Sequence, residues 1–328
     1  MKEGPYIFWQ SEQDYEEVYF VQKNNSIQEE KLHKNLKEQP NINFKLDQIS
    51  ISVDLQKEFE PSASRFSNVD KIFAIGDIHG EFDILKKILL SNRIIDQNFS
   101  WNFGEGHLVF CGDIFDRGSK VTECLWLVYH LEQQAELVGG KVHYLWGNHE
   151  IMSLVGDHRY LHQKYNVLSF NFLSDYKDFF ANDSVLGCWI RQKNIAVSIN
   201  DYLFVHAGID PKINLSIEEI NNKGREELSQ SDFSQFLMAP DSPLWYRGYM
   251  QYWEGVNKAT QSDIDLLLDK FEIKQLIFAH TEVKELTPLF NNKLIAIDVP
   301  LKKQPEGLLI KGDAFYRVDE YGNQKDLF

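Results

Sequence analysis

Short runs of apolar, β-branched and aromatic residues recur along this chain, each closed by glycine or a polar turn residue. Five of them share a kind of ending: KIFAIGDIHG (71–80), HLVFCGDIFDRG (107–118), VHYLWGNHE (142–150), YLFVHAG (202–208) and LIFAHT (276–281). A brief continuous apolar run between turn residues predicts a strand buried on both faces. Between these runs the period changes from strand to helix. FDILKKILLSN (82–92) and the stretch 121–138 space their apolar side chains for a helical face, as the crossover of a βα unit does. Residues 151–183 are rich in Tyr and Phe and predict helices over the sheet, and the polar stretch 212–241 predicts further helix. Upstream the pattern alternates, in EEVYFV (16–21) and FKLDQISISV (44–53), with Asn24-Asn25 as a turn between short strands. Tyr6, Phe8 and Trp9 give that upstream part something to bury. Residues 1–66 are therefore expected to form an accessory β region packed on the core, and residues 67–328 an α/β domain.

The shared endings place ligand-type side chains just beyond the predicted strands: Asp77, His79, Asp113, Asn148, His206 and His280. Layered α/β folds build their sites at the carboxyl ends of strands, where loops are free to carry chemistry. Any one of these residues alone is better read as a hydrogen-bonded loop residue, but the joint pattern is hard to explain as packing. Carboxylate and amide oxygen mixed with imidazole nitrogen suits Mn, Zn or Fe, whereas an all-oxygen set would suggest Mg or Ca. Six candidates exceed what one tetrahedral ion needs. Two divalent ions, alike or mixed and roughly 3.5–4 Å apart, fit the count better; such a pair clamps phosphoryl oxygens and brings the pKa of bound water toward neutrality.

The ordered set GDIHG, GDIFDRG, GNHE, VHAG and a terminal His-Thr resembles the calcineurin-like metallophosphoesterases, in particular their phosphoprotein phosphatase branch, from about Lys71 to Asp298. SVLGCWIRQKNIAVSINDYLFVHAGI (184–209) and SPLWYRGY (242–249) are most similar to the bacterial Shewanella-like phosphatases, which include a cold-active protein-tyrosine phosphatase. The resemblance implies a β-sandwich flanked by helices and a dinuclear phosphoric monoester hydrolase acting on phosphorylated protein or peptide. It implies that Asp77 and His79 hold one ion, Asp113 bridges, and Asn148, His206 and His280 hold the other. His149 corresponds to the family's general acid, Asp116 to the residue orienting it, and Arg117 to a phosphate grip. Arg247 of WYRG is a second grip candidate, with a surface salt bridge as its competing role. The implied reaction is in-line attack on phosphorus by metal-bound hydroxide, with phosphotyrosine favoured. Ala279 departs from the family's usual Gly before the last His, which is tolerable if its φ is negative.

Two alternatives share parts of the pattern. A diadenosine polyphosphate hydrolase has similar GD-x-HG, GNHE and VHAG segments, and a noncatalytic phosphate-binding protein could keep the fold. Cys111 and Arg117 also show the Cys-x5-Arg spacing of cysteine-dependent phosphatases. The intervening Asp113 and Asp116 would repel both thiolate and phosphate, so that mechanism is rejected. Tyr246, Tyr249, Tyr252 and Trp253 could flank a flat aromatic substrate, though packing is the stronger expectation. The net charge of −15 argues against a nonspecific grip on nucleic acid. Cys111, Cys124 and Cys188 form neither a disulfide framework nor a zinc spacing. The sequence as given shows no signal peptide and no membrane-spanning stretch, which leaves a cytoplasmic location, or a periplasmic one if a leader was removed.

Overall fold

The computed structural model describes residues 2–24, 26–172, 174–230, 235–250 and 258–328. The alternating upstream segments form an antiparallel sheet of β1 (Lys2–Trp9), β2 (Asp14–Lys23) and β3 (Ser26–Asn35). β2 and β3 pair from Asp14↔Asn35 to Lys23↔Ser26, with Asn24 at φ 46° in the connection. Asn25, the other half of the expected turn, lies outside the described residues. β4 (Asn41–Leu46) and β5 (Ile49–Asp54) make a separate hairpin that turns at Asp47, φ 53°.

Two six-stranded sheets follow. The first contains β6 (Arg65–Phe66), β10 (Ala196–Ile199), β11 (Tyr202–Val205), β12 (Gln275–Phe278), β13 (Thr287–Leu289) and β14 (Leu294–Ala296), in the order β13-β14-β12-β11-β10-β6. The second contains β7 (Lys71–Ile75), β8 (His107–Phe110), β9 (Lys141–Tyr144), β15 (Glu306–Lys311), β16 (Ala314–Asp319) and β17 (Gln324–Asp326), in the order β17-β16-β15-β7-β8-β9. The sheets meet face to face, with Tyr202 of one edge-on to Phe315 of the other at 5.3 Å. Every residue of β8, β10 and β11 is buried, which explains why these strands are continuously apolar rather than alternating. This is the helix-flanked β-sandwich that the motifs implied. β6 lies at the end of the expected accessory region yet pairs in parallel with β10 of the body.

The helices are α1 (Phe82–Ser91), α2 (Val121–Glu136), α3 (Asn148–Val155), α4 (Gln163–Phe172), α5 (Val185–Arg191), α6 (Ile217–Ser229) and α7 (Gln261–Phe271), with a 3₁₀ turn at Tyr176–Phe180. α1 connects the parallel strands β7 and β8, and α2 connects β8 and β9. α2 is apolar around most of its circumference because it is covered twice. One side meets the sheet, and the other receives the upstream strands. There the Trp126 indole N–H donates to the Pro5 carbonyl at 2.9 Å, Phe44 packs on the same ring at 5.2 Å, and the Tyr129 hydroxyl donates to Asp54 O at 2.9 Å. No helix among the described residues is long and apolar enough to cross a membrane.

Trp126 is fully buried at this junction. Trp126→Ala should destabilise the protein by about 3–5 kcal/mol, the usual cost of emptying a buried indole site. Trp126→Phe should cost less but leave the Pro5 carbonyl without its donor, about 1–3 kcal/mol. Denaturant unfolding followed by tryptophan fluorescence and far-UV circular dichroism checks both. A cost below about 1 kcal/mol for Trp126→Ala would mean that the upstream strands are not coupled to the core.

Candidate metal centre

The parallel pairing of β7, β8 and β9 in one sheet, and of β11, β12 and β14 in the other, puts the carboxyl ends of each set at one edge. Asp77 and His79 follow β7, Asp113 follows β8, Asn148 opens α3 after β9, His206 follows β11 and His280 follows β12. Backbone hydrogen bonds lace these ends together. His79 N–H donates to Asp113 O at 2.8 Å and Ala279 N–H to His206 O at 2.7 Å. Gly112 permits the closest approach: at φ 90°, a Cβ there would lie 2.6 Å from Gly147 N and 2.8 Å from His206 Nδ1. A Cβ on Gly147 would collide with the Asp113 carboxylate.

The centre is strained at its own residues. His79 (φ 47°), Asp113 (54°), Asp116 (65°), Arg117 (59°) and His280 (61°) all lie in the left-handed region. Each such residue costs about 1–3 kcal/mol and persists only where its surroundings over-determine it. Ala279 is not among the positive-φ residues; the left-handed step falls on His280 instead, so the methyl group is accommodated. Glu150 supplies much of the restraint. Its buried carboxylate accepts from Asp113 N–H (2.8 Å), Ile114 N–H (2.7 Å), Gly147 N–H (2.6 Å) and the Tyr144 hydroxyl (2.9 Å).

Asp113 Oδ2 is the geometric centre. It lies 3.8 Å from His79 Nε2, 3.8 Å from His149 Nε2 and 3.4 Å from His206 Nε2. His79 Nδ1 donates to Phe115 O and His206 Nδ1 to Cys111 O, each at 2.7 Å. A carbonyl can only accept, so both rings carry their proton on Nδ1 and turn the Nε2 lone pair inward. His206 Nε2 is 3.0 Å from Asn148 Oδ1 and 3.1 Å from His280 Nδ1, while the Asn148 amide nitrogen faces Met152 Sδ at 3.7 Å. Two lone-pair atoms, an imidazole nitrogen and an amide oxygen, thus face each other. His79 Nε2 is buried with no hydrogen-bond partner. Convergent lone pairs of this kind fit a bound cation. His79, Asp113 and His149 on one side, and Asp113, His206 and His280 on the other, bring ligand atoms within 4.8 Å of one another.

Electrostatics agree with that fit. Burial, reinforced by Asp298, pushes the Asp77 carboxyl well above the usual range, and burial with Asp77 does the same to Asp113. Asp298, just beyond β14, is pushed up to about 6 by burial and then by Glu282. Burial also holds the His79 and His280 imidazoles well below their ordinary value and His206 down to about 3. The rings are therefore neutral, the form in which imidazole binds metal.

The other expected site residues converge on the same edge. His149 Nδ1 pairs with Asp116 Oδ2 at 2.7 Å, both buried, and His149 N–H donates to Asp113 Oδ1 at 2.9 Å. Arg117 and Arg247 line a cleft of about 430 Å³ together with Asp77, His79, His280 and Asp298. Arg247 Nη1 donates to His280 O at 3.2 Å, which places this arginine at the site. The Cys111 thiol is buried and pushed well up, by burial and by Asp77, which makes it a poor nucleophile. Tyr246 and Tyr249 are core residues: the Tyr249 hydroxyl accepts from Ile209 N–H and donates to Ile209 O, each at 2.8 Å. Neither can flank a substrate, and Tyr252 and Trp253 lie outside the described residues. Glu150, Asp298 and Tyr160, whose ring lies 5.0 Å from that of His149, were not anticipated as site residues.

The pattern of the calcineurin-like phosphoesterases matches residues 70–283. The Shewanella-like protein phosphatase 1 of Plasmodium berghei is 27% identical over 270 residues, covering 76% of this chain and 73% of that one. A symmetrical bis(5'-nucleosyl)-tetraphosphatase of Xylella fastidiosa is 29% identical over 183 residues, 53% of this chain and 56% of its own. The crystal structure of a cold-active protein-tyrosine phosphatase from a psychrophilic Shewanella superposes with a TM-score of 0.89 at 31% identity, covering 100% of both chains.

The pKa directions fix the sign of a pH effect. Raised carboxyls favour the fold while protonated, and that contribution is lost as pH rises through their folded values, about 6 for Asp298. Depressed imidazoles act oppositely, losing their contribution as pH falls below the ordinary histidine range. A divalent cation competes with protons at both kinds of group. The stabilisation of Mn-loaded over chelated protein, followed as a gap in melting temperature, should therefore widen from pH 5 to pH 8, corresponding to about 2.7 kcal/mol where Mn is in hundredfold excess over Kd. A gap that is constant or shrinks with pH would contradict the assignment.

Proposed function

This chain belongs to the calcineurin-like phosphoesterases, and on that premise we propose that it is a metal-dependent protein phosphatase that favours phosphotyrosine esters. The observation that carries the reading is Asp113, a buried carboxylate shared by two convergent ligand sets. We assign Asp77 and His79 to one divalent cation, Asn148, His206 and His280 to a second, and Asp113 to both, with Mn, Zn or Fe as the fitting metals. When bound, such cations supply Lewis acidity toward phosphoryl oxygen and acidify the attacking water.

The chain's own residues do the rest. Arg117 and Arg247 reach into the cleft and hold the phosphate oxygens. Asp116 fixes the His149 ring through Nδ1, which leaves Nε2 directed at the centre to protonate the leaving oxygen. Cys111 holds the His206 ring through its backbone carbonyl and takes no nucleophilic role. Residues 1–66 act as an accessory region that buttresses α2, and residues 67–328 form the catalytic domain, with β6 stitched into the latter's sheet. Similarity over the whole chain to a tyrosine phosphatase supports this reading over a dinucleotide polyphosphate hydrolase, which is matched over about half of it. A noncatalytic role is disfavoured because the Asp116–His149 pair accompanies two convergent ligand sets.

His149 also satisfies the distance criterion for a ligand, and three substitutions separate the roles of acid, ligand and bystander. His149→Asn should lower turnover about 100- to 10,000-fold with metal content unchanged. His206→Ala should lose metal, and Cys111→Ser should retain both metal and activity. Metal analysis with turnover on a phosphotyrosine peptide reads all three; loss of metal in His149→Asn would make it a ligand. Wild type should also prefer a phosphotyrosine peptide to its matched phosphoserine peptide and to a dinucleotide polyphosphate. Equal use of the two peptides would remove the tyrosine assignment, and dinucleotide preference would replace it.

A further inference from the structure

The loop after α3 ends in an aromatic side chain that the reaction as described does not use. Tyr160 is 47% exposed, and its ring lies 5.0 Å from that of His149 at an interplanar angle of 57°. The Arg117 guanidinium carbon is 5.8 Å from the same ring, and Arg117 N–H donates to the Tyr160 carbonyl at 3.0 Å. The loop is pinned from within. Arg159 forks onto Asp157, with Nε to Oδ1 at 2.9 Å and Nη2 to Oδ2 at 2.7 Å, and Leu161 is buried. Tyr160 is thus a half-open aromatic face held beside both the proposed acid and the phosphate grip.

We propose that Tyr160 is the wall against which the aromatic ring of the leaving group packs, and so a residue that sets preference for aryl over alkyl phosphate esters. The inference rests on the phosphatase reading above. A general acid must come within about 2.6–3.2 Å of the oxygen it protonates. The leaving oxygen therefore lies against His149, and a tyrosyl ring begins one bond beyond that oxygen. That position is in reach of Tyr160, because aromatic rings interact favourably with centroids about 4.5–7 Å apart. A seryl leaving group brings no ring to this face. Tyr246 and Tyr249 are excluded by burial. Trp245 stands edge-on to His280 at 6.1 Å, across the centre from the acid, and its indole N–H is engaged by Leu237 O at 3.0 Å.

The test compares wild type, Tyr160→Phe and Tyr160→Leu in the full chain loaded with Mn. Two quantities are measured: kcat/KM on matched phosphotyrosine and phosphoserine peptides, and competitive inhibition by phenylphosphonate and methylphosphonate. Tyr160→Leu should lower the phosphotyrosine-to-phosphoserine ratio of kcat/KM about 2- to 12-fold, the range an aromatic pair supplies. The phenyl-to-methyl ratio of inhibition should fall with it, and Tyr160→Phe should hold both ratios near the wild-type values. Unchanged ratios in Tyr160→Leu overturn the proposal. So does an equal loss on both peptides with a shifted pH profile, which would make Tyr160 a positioning residue for His149. If wild type turns over neither peptide, the phosphatase reading fails by itself, and the phenyl-to-methyl ratio of phosphonate affinities, read directly by calorimetry in wild type and Tyr160→Leu, still decides whether this face receives a ring.

Discussion

A carboxylate removed from water must find positive charge or accept a proton, and Asp113 is the carboxylate on which this structure turns. It is buried at the meeting point of two sheets, with the inward Nε2 atoms of His79, His149 and His206 within 4 Å and, among the described residues, no lysine or arginine ion pair to it. Neutral imidazoles cannot offset a buried negative charge, and Asp77 and Asp298 add to it. The fold therefore carries an electrostatic deficit that a divalent cation relieves. Most of the local backbone serves to hold Asp113 in place despite that deficit.

Glu150 shows how. Two strand ends, after β8 and after β9, present backbone N–H groups toward one point, and the Glu150 carboxylate accepts from both. One buried acid thereby fixes the loop that carries Asp113, Asp116 and Arg117 and also the start of α3, which carries Asn148 and His149. Charge-assisted bonds of this kind are short and strong, and they allow Asp113, Asp116 and Arg117 to remain at positive φ. At the centre the strain falls on loop residues, while the strands behind them are fully buried. Rigid strands supply the reference frame, and strained loop residues supply the reach.

This division explains which features were legible in the sequence. Asp77, His79, Asp113, Asn148, His206 and His280 each stand within four residues of an apolar strand, so a local pattern locates them. The helices α1 and α2 declared themselves by apolar spacing, and the sandwich followed from the family resemblance that the motifs carry. Glu150 and Asp298 were on the page as letters, but their roles depend on which backbone groups and charges surround them after folding. For the aromatic cluster at 245–253 packing was the stronger expectation, and Tyr246 and Tyr249 meet it. Tyr246 and Tyr249 sit close in sequence to Arg247, yet the Tyr249 hydroxyl is turned to Ile209 in the core. Adjacency along the chain says little about which face of a loop is wet. Tyr160 was passed over because nothing in the sequence places it beside His149; that contact arises from the bond between the Arg117 amide and the Tyr160 carbonyl.

The same reasoning separates what relatives of this chain must share from what they can vary. A centre assembled at strand ends tolerates little change, because Gly112 and Gly147 approach each other too closely to admit a side chain and Asp113 fills the remaining space. Proteins with different phosphate substrates can therefore keep the same motifs. The leaving group, in the reading proposed above, is met by the loop between α3 and α4, which touches the centre through the Tyr160 ring and a backbone bond to Arg117. That loop can change its side chains without disturbing a metal ligand. The upstream strands are further removed, for they pack on α2 through Trp126 and Tyr129 and contribute no residue to the cleft. On that reading, selectivity belongs to residues on the loops beside the strand ends, where strand order no longer constrains them.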